Sequence, residues 1–354
     1  MHVELPPPLG SGGKGSAGSH RRIVVTGGAG FIGSHYVRLL LSGAEQLSVT
    51  VLDKLTYAGN QANLGDLAAD PRLRFRRGDI CDPAVVDEVL RDADEVVHFA
   101  AESHVDRSIE DGGAFVRTNV LGTQTLLDAA LRHDVSRFVH VSTDEVYGSI
   151  ASGSWDESSP LSPNSPYAAS KASSDLLVLA YQRTHGLNAS ITRCSNNYGP
   201  MQHPEKVIPL FVTRTIDGLT VPLYGDGRNV RDWLHVTDHC RGIELVRTRG
   251  RAGEVYNLGG GTELTNRQLA ERLLAFGGAD WSLVREVADR KGHDLRYSLD
   301  DRKAREELGY RARVPLSTGL PATVRWYQDN PQWWRPLLPE PAGRLGAAPQ
   351  ATLP

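Results

Sequence analysis

A glycine-rich turn between a short apolar strand and a helix is the feature that most constrains the fold of this chain. The strand pattern covers Arg22–Thr26, residues 27–33 read GGAGFIG, and an apolar-periodic helix follows over Tyr36–Leu41. Glycines here let the backbone approach a pyrophosphate at the helix N-terminus and let helix and strand pack closely. The spacing fits GxGxxG from Gly28 and GxxGxxG from Gly27, and either version predicts a dinucleotide-binding fold.

An aspartate, Asp53, follows the second predicted strand at the position where dinucleotide-binding folds have an acidic residue. The next strand pattern, Ser48–Leu52, ends at Asp53, about 20 residues after Gly33. A carboxylate at this point accepts the ribose hydroxyls of a dinucleotide, and its charge repels a 2′-phosphate. The sequence therefore predicts NAD rather than NADP as the cofactor.

Strand and helix patterns continue to alternate along the first half of the chain. Such alternation predicts an α/β fold with a doubly wound, Rossmann-like parallel sheet, followed by a smaller C-terminal substrate-binding lobe. The patterns cover Leu73–Arg77 (strand), Glu95–Phe99 (strand), Thr118–His133 (helix) and Phe138–Val141 (strand). We expect a disordered lead over residues 1–20, an NAD-binding domain with the catalytic residues over 21–200, a mainly nucleotide-sugar-binding lobe over 201–335 and a poorly ordered tail over 336–354.

Candidate catalytic residues lie at the carboxyl end of the strand that begins at Arg137. Ser142, Thr143, Asp144 and Glu145 come at that end, where ligands bind in open α/β sheets. The adjacent carboxyl groups suit a general acid and a general base, although a solvated acidic turn would look the same.

A tyrosine and a lysine follow on a predicted helix. Pro166 suits the first helical position, and Tyr167 and Lys171 are four residues apart, so they share one helical face. An ammonium on that face can favour the phenolate and make the tyrosine a base near neutral pH. The same spacing also occurs by chance on amphipathic helices, so the helix alone does not show that Tyr167 and Lys171 are catalytic.

Composition excludes several other classes of protein. The net charge is -3 and the sequence pI is about 6.5, which gives no sign of a nucleic-acid or anionic-membrane surface. No apolar run reaches the ~20 residues that span a bilayer, and the start lacks the pattern of a signal peptide. Three widely spaced cysteines and the histidine spacings indicate neither disulfides nor a metal site. We therefore expect a cytoplasmic enzyme without a metal.

Taken together, these motifs resemble the extended short-chain dehydrogenase/reductase family, and within it the enzymes that dehydrate nucleotide sugars. The resemblance covers roughly residues 22 to 330. It rests on the strings Asp53–Asn60, Ala100–Ser108, Ser142–Gly148, Cys194–Pro200, Pro204–Pro209, Arg231–Val236 and Gly292–Tyr297.

The resemblance implies a substrate, dTDP-glucose, and a reaction that removes water. The hydride of C4 would pass to NAD, the C5 proton and the C6 hydroxyl would leave as water, and the hydride would return to C6. Tyr167 would take the 4-hydroxyl proton, Glu145 would remove the C5 proton, and Asp144, held protonated, would give its proton to the departing C6 hydroxyl. Thr143 would bind the 4-oxygen and Lys171 the cofactor ribose. A homodimer through the helices that begin near Thr118 and Tyr167 is also implied.

The resemblance also implies two sets of binding residues. Asp79 would contact the adenine edge, and the small Ala100 and Ala101 would admit the cofactor, although ordinary loop chemistry explains these three residues equally well. The cofactor set is Gly27, Gly30, Phe31, Ile32, Gly33, Asp53, Lys54, Leu55, Thr56, Asp79, Ile80, Ala100, Ala101, Glu102, Ser103, His104, Thr118, Tyr167, Lys171 and Asn197. The substrate set is His104, Thr143, Asn196, Lys206, Val207, Pro222, Leu223, Tyr224, Arg231, Asn257, Arg290, His293 and Asp294.

Two alternatives stay open at this point. Another enzyme on the same scaffold, a nucleotide-sugar epimerase or decarboxylase, would make Asp144 and Glu145 incidental. An NAD-binding regulator without activity would be expected to have lost the tyrosine, the lysine or the acidic pair, and all of them are present.

Overall fold

The computed structural model describes residues 20–43 and 46–338. The predicted lead therefore lies, apart from residue 20, outside the described residues, as does most of the predicted tail. The strands within the described ranges are β1 (Arg21–Thr26), β2 (Leu47–Asp53), β3 (Leu73–Arg77), β4 (Glu95–His98), β5 (Arg137–Thr143), β6 (Ala189–Cys194), β7 (Asn196–Tyr198), β8 (Val221–Tyr224), β9 (Val230–His235), β10 (Val255–Leu258), β11 (Glu263–Thr265) and β12 (Val284–Val287).

Helices connect most of these strands. A π-helical turn, Val116–Leu121, leads directly into α5, and one 3₁₀ turn, Asp144–Tyr147, follows β5. The α-helices are α1 (Phe31–Ser42), α2 (Pro83–Leu90), α3 (Val105–Glu110), α4 (Gly112–Phe115), α5 (Gly122–Arg132), α6 (Pro166–His185), α7 (Val207–Ile216), α8 (Val236–Arg249), α9 (Asn266–Gly277), α10 (Leu316–Asp329) and α11 (Pro331–Trp334).

A seven-stranded sheet organises the molecule, in the order β10-β6-β5-β4-β1-β2-β3, and all neighbouring strands are parallel. One apolar core on its first face includes side chains of α1 and α8, and a second core on the other face includes side chains of α2, α5 and α6. The predicted doubly wound fold is confirmed. The chain order reverses between β1 and β4, which is where a crevice opens at the carboxyl ends of the strands in such folds.

The segment predicted to form mainly the small lobe, residues 201–335, also contributes to the large sheet. β10 pairs with β6 as an edge strand of the large sheet, and α8 packs on α1, where Tyr36 Oη donates to Glu244 Oε2 at 2.8 Å. Part of the 201–335 segment therefore completes the nucleotide-binding sheet. A separate apolar core, with side chains from α7, α9, α10 and α11, defines the small lobe.

Helix α6 begins where the sequence predicts. Ser165 caps it by accepting the backbone N–H of Ala168 at 3.1 Å, and Pro166 occupies the first turn. Gly186 ends the helix with φ of 71°, a conformation that glycine adopts without steric cost. Tyr167 and Lys171 are thereby fixed one turn apart beside β5.

Candidate active site

A cavity lies at the carboxyl ends of the central strands and collects most of the residues predicted for the site. Its walls come from the glycine turn, the loops after β2 and β4, the end of β5, the start of α6 and the loop after β6. The predicted residues that line it are Gly27, Gly30, Phe31, Ile32, Gly33, Asp53, Lys54, Thr56, Asp79, Ile80, Ala100, Ala101, Glu102, Ser103, Thr118, Thr143, Asp144, Glu145, Tyr167, Lys171, Asn196, Asn197 and Lys206.

The structure of the glycine turn distinguishes between the GxGxxG and GxxGxxG spacings. Gly27 has φ of 69°, and a Cβ there would lie 2.6 Å from Ala100 N; a Cβ on Gly33 would collide with the carbonyl oxygen of Gly27. Gly28 does not line the cavity and faces Val51 instead. The GxxGxxG register therefore surrounds the cavity, because close packing of turn, helix and the loop after β4 leaves no room for side chains.

The N-terminus of α1 is open to a ligand. Gly30 is its N-cap residue and offers no side chain to accept the first backbone N–H groups. A Cβ on Gly30 would meet the Gly27 oxygen at 3.2 Å and no other described atom within 4 Å. Unpaired N–H groups and the positive end of the helix dipole suit the pyrophosphate of a dinucleotide.

Asp53 ends β2 beside this turn. Its carboxylate accepts the N–H of Ala29 at 3.0 Å and the N–H of Leu55 at 2.8 Å. Burial raises the pKa of Asp53, while these two hydrogen bonds oppose the rise. Lys54 pairs with Asp79 at 2.8 Å on the same side of the cavity.

Lys171 is held by the strand beside it. Its Nζ donates to the Val141 carbonyl at 2.8 Å and lies 3.3 Å from His140 Nε2. Burial lowers the pKa of Lys171 to about 8, and the charge of Asp175 opposes that fall. Lys171 is therefore oriented along β5.

The surroundings of Tyr167 raise the pKa of its phenol. Burial and the charge of Glu145 raise its pKa well above the ordinary value, and a hydrogen bond with Thr143 lowers it only partly. Desolvation of the buried phenol therefore dominates its pKa in the protein without ligands.

Asp144 and Glu145 form an adjacent acidic pair in the cavity, and the pKa of each is raised. Burial and the neighbouring charge of Glu145 raise the pKa of Asp144 well above its ordinary value, as a general acid requires. Asp144 Oδ2 is buried without a hydrogen-bond partner among the described residues, while Oδ1 has only a long contact of 3.4 Å from the Thr143 hydroxyl. A buried polar atom of this kind calls for a ligand partner.

Nearby cations favour the ionised form of Glu145. Burial raises the pKa of Glu145, and the positive charges of Arg231, Lys206 and Arg290 lower it. The Lys206 Nζ donates to the Ser103 carbonyl at 2.8 Å on the cavity wall. Three basic side chains from the second half of the chain therefore face the acidic end of β5.

A further group of predicted substrate residues clusters outside the main cavity, although the charge of one of them, Arg290, acts on Glu145. The Arg290 guanidinium is 2.9 Å from Asp106 and 5.2 Å from the centre of the Tyr224 ring. The ring of Tyr224 meets that of His293 edge to face at 6.3 Å. The cluster presents a cation and two aromatic rings, which can take a phosphate and a flat base.

Asn257, which was predicted to bind substrate, lies inside the protein, and its substrate role stays a prediction. It is fully buried in β10, where its Oδ1 accepts from the Tyr147 hydroxyl at 2.9 Å and its Nδ2 donates to the Trp155 carbonyl at 3.0 Å. Both ends of the amide are therefore used to join β10 to the segment after β5.

Asp294 lies outside the cavity and is hydrogen-bonded to other protein groups. Its carboxylate accepts from Asn164 at 2.6 Å and from the Tyr297 hydroxyl at 2.5 Å, and its backbone carbonyl accepts from Arg231 at 2.9 Å. Asp294 thus orients the Arg231 guanidinium rather than lining the cavity.

Five other predicted residues do not line the cavity either. Leu55 packs against the core of the large sheet, and Val207 packs against the core of the small lobe. His104 caps α3 and faces Glu205 at 3.6 Å. Pro222 and Leu223 belong to β8, and the side chain of Leu223 is buried.

Sequence reasoning missed several cavity residues. The main group follows β6, the strand next to β5, and an adjacent strand end in a parallel sheet was the signal that could have found it. The additional lining residues are Leu52, Ala58, Gly59, Gly78, Phe99, Val141, Cys194, Ser195, Gln202, His203 and Glu205, whereas Ser142, which also lines the cavity, was already a candidate from the sequence.

Comparison with known proteins agrees with this geometry. The family model described as GDP-mannose 4,6 dehydratase matches residues 24–323. The chain belongs to this dehydratase family. The predicted membership of the extended short-chain dehydrogenase/reductases is thereby confirmed.

Named relatives within the dehydratase family are very similar. The dTDP-glucose 4,6-dehydratase of Streptomyces antibioticus is 64% identical over 326 residues, which cover 91% of this chain and 96% of the relative. The crystal structure of DesIV, a dTDP-glucose 4,6-dehydratase from Streptomyces venezuelae with NAD and TYD bound, is 65% identical, with a TM-score of 0.89 over 90% of this chain and 100% of that chain.

A solved epimerase is more distant. The UDP-glucose 4-epimerase of Thermus thermophilus, in complex with NAD, is 33% identical, with a TM-score of 0.81 over 87% of this chain and 99% of that chain. In the described part of this dehydratase-family chain, no group of three or more His, Cys, Asp or Glu residues could hold a metal ion. None of the described helices is long and apolar enough to cross a membrane.

Proposed function

We propose that this chain is an NAD-dependent dTDP-glucose 4,6-dehydratase, which converts dTDP-glucose into dTDP-4-keto-6-deoxyglucose and water. The observation that carries the proposal is the adjacent pair Asp144 and Glu145 at the end of β5. The pair faces the cavity, the pKa of Asp144 is raised, and one of its oxygens is buried without a partner among the described residues. Relatives that are 61–64% identical and carry this name support the substrate and the reaction.

The cofactor is NAD, which when bound would supply a reversible hydride acceptor for the sugar. The residues present fit it: the open N-terminus of α1 suits the pyrophosphate, and Asp53 suits a ribose without a 2′-phosphate. Lys171, whose amine is fixed on the Val141 carbonyl, would reach the second ribose and keep its charge near the reacting tyrosine.

Tyr167 takes the proton of the 4-hydroxyl in this mechanism. Burial in the protein alone keeps its phenol protonated, so proton removal depends on positive charge that arrives with the ligands. Thr143, which is hydrogen-bonded to Tyr167, holds the 4-oxygen.

Oxidation at C4 makes the C5 hydrogen acidic, and the acidic pair then completes the elimination. Glu145, whose charge Arg231, Lys206 and Arg290 favour, removes the C5 proton. Asp144, which burial and Glu145 keep protonated, gives its proton to the departing C6 hydroxyl. The two neighbouring carboxyl groups thus have separate tasks because their surroundings differ.

The basic and aromatic residues near the cavity mouth would hold the nucleotide. Lys206 and Arg290 supply positive charge for the diphosphate, and Tyr224 and His293 offer ring faces and edges for the base. Arg231, oriented by the Asp294 carbonyl and stacked 4.3 Å from the Tyr297 ring centre, adds a third cation.

The test is incubation of the purified protein with dTDP-glucose, without added cofactor, followed by mass spectrometry. Loss of one water, together with NAD released on denaturation, is the expected result. An unchanged mass with an isomerised sugar would indicate an epimerase, and no turnover of any nucleotide sugar would indicate a regulator.

We also propose a homodimer formed through the helices around Val116–Leu121 and α6. Val116, Leu121 and Leu176 are exposed apolar side chains on these two neighbouring elements, which is unusual on a monomer surface. Leu176→Glu should give a monomer by light scattering, whereas Phe276→Glu, which changes a similarly exposed side chain on α9, should leave the dimer intact.

We place the enzyme in the cytoplasm. Its three cysteines, Cys81, Cys194 and Cys240, are free, as thiols are in reducing compartments. Fractionation of the producing cells, with a periplasmic or secreted marker as control, would test the location.

A further inference from the structure

A chain of hydrogen bonds joins α11 to the glycine turn. The indole N–H of Trp333 donates to Asn63 Oδ1 at 2.9 Å, across 270 residues of sequence. Asn63 Nδ2 in turn donates to the Ala29 carbonyl at 2.9 Å, and the Asn63 side chain is buried. One amide therefore bridges the end of the small lobe and the turn that begins the nucleotide-binding domain.

Asn63 sits where the glycine turn and the loop after β2 are fastened together. The Ala29 carbonyl also accepts the backbone N–H of Asn60 at 3.0 Å, and the Ala29 N–H is bound to Asp53. The loop between Asp53 and Asn60 supplies four cavity-lining residues, Lys54, Thr56, Ala58 and Gly59. Displacement of Asn63 would loosen this wall of the cofactor site.

Trp333 is itself held in a defined position. Its ring packs edge to face on Trp326 at 5.1 Å and on Tyr327 at 6.3 Å between ring centres. The Tyr327 hydroxyl donates to the backbone carbonyl of Gln202 at 2.5 Å, and Gln202 lines the same cavity. The aromatic group thus contacts both the loop after β2 and the loop after β7.

We propose that Trp333 is a positioning residue for the cofactor. By fixing Asn63, its indole N–H holds the loop after β2 against the glycine turn and slows the escape of NAD. The inference rests on the proposed function, because a reaction that leaves its cofactor unchanged at the end of each turnover benefits from keeping it bound. Trp333 contacts neither substrate nor reacting atoms and acts through Asn63.

The test measures exchange of bound NAD directly. The holoenzyme is mixed with excess isotopically labelled NAD, samples are denatured at intervals, and the bound fraction is read by mass spectrometry. Trp333→Phe should release NAD roughly three- to tenfold faster than wild type, as the loss of one buried hydrogen bond implies. The kcat with saturating NAD should not change.

Two further variants separate this role from general packing. Trp326→Phe removes an indole from the same aromatic group without touching the bond to Asn63, and should exchange NAD at the wild-type rate. Asn63→Ser should speed exchange like Trp333→Phe, and the double variant should be no faster than Asn63→Ser alone, since both changes break one link.

The proposal is overturned if Trp333→Phe exchanges NAD at the wild-type rate. It is equally overturned if Trp326→Phe speeds exchange as much, or if the effects of Trp333→Phe and Asn63→Ser simply add. Failure of the proposed function would give a different result, because the wild type would then retain and exchange NAD but leave dTDP-glucose unchanged.

Discussion

Replacement of Asp144 by asparagine should inactivate the enzyme while leaving the fold as stable or more stable. Asp144 is 3% exposed, one of its carboxyl oxygens has no partner among the described residues, and Glu145 adjoins it. Asparagine keeps the size and the contact with Thr143 but has no proton to give to a leaving hydroxyl.

The expected loss of rate follows from the role of the group. Positioned general acids contribute about 10²- to 10⁴-fold, so kcat for dehydration should fall by that factor, or roughly 3 to 5 kcal/mol in barrier height. KM should change little, because the residues proposed to bind the nucleotide, namely Lys206, Arg290 and the aromatic cluster, are unchanged.

The effect on stability has the opposite sign. The folded-state pKa of Asp144 is raised, so above the unfolded value of about 4 the folded protein holds a proton that the unfolded chain has released. The contribution of Asp144 to the free energy of unfolding is therefore full below about pH 4. It falls by about 1.4 kcal/mol per pH unit until the folded pKa is reached. Asp144→Asn lacks this loss, so its melting temperature relative to wild type should rise as the pH increases above about 4.

Glu145→Gln is the matched control, and exchange in deuterated water is the decisive assay. Asp144→Asn retains Glu145 as base, so the C5 hydrogen of the substrate should exchange with solvent although no water is lost. Glu145→Gln should show neither exchange nor dehydration. If Asp144→Asn dehydrates dTDP-glucose within tenfold of the wild-type rate, or if Glu145→Gln still exchanges C5, the assignment of acid and base is wrong.

Three further expectations concern other parts of the molecule. Burial lowers the pKa of Lys171 to about 8, so its ammonium is present below that pH and activity should decline above it. Lys171→Arg should move this decline to higher pH, because arginine stays protonated. A pH profile that does not move would contradict the role of the Lys171 charge in activity. Gly33→Ala should abolish NAD retention, measured on the purified protein, because its Cβ would collide with the Gly27 carbonyl, whereas Gly65→Ala, where the space is open, should bind NAD normally. Asn257→Ala should lower the free energy of unfolding by about 3 kcal/mol in chemical denaturation, since it leaves buried partners unpaired, and an unchanged stability with a raised KM would support the predicted substrate role.

Much of the fold and the reaction centre could be predicted from local sequence. The strand, glycine turn and helix, the carboxylate at Asp53, and the helix that starts at Pro166 are all set by residues near one another in the chain. Backbone sterics, capping and helical spacing decide such features within a few turns. The doubly wound fold predicted from them is confirmed, and so is the family.

The edges of the site could not be predicted in this way. Asn257 was predicted to bind substrate, yet its amide is used inside the protein, because β10 pairs with β6 and buries it. The raised pKa of Tyr167 likewise depends on desolvation by elements that meet only after folding. Neither a motif nor a residue spacing predicts how deeply a side chain will be buried in the folded protein.

The sequence by itself determined that this chain binds a dinucleotide and carries an acid, a base, a tyrosine and a lysine at one strand end. Only the tertiary structure decided how far burial raises the pKa of the Asp144 carboxyl group, which predicted ligands face inward, and that Trp333 reaches the cofactor loop through Asn63. The physical reason is that proton affinity and hydrogen-bond partnership depend on the dielectric surroundings and on contacts between distant segments. Local spacing encodes only which groups are available.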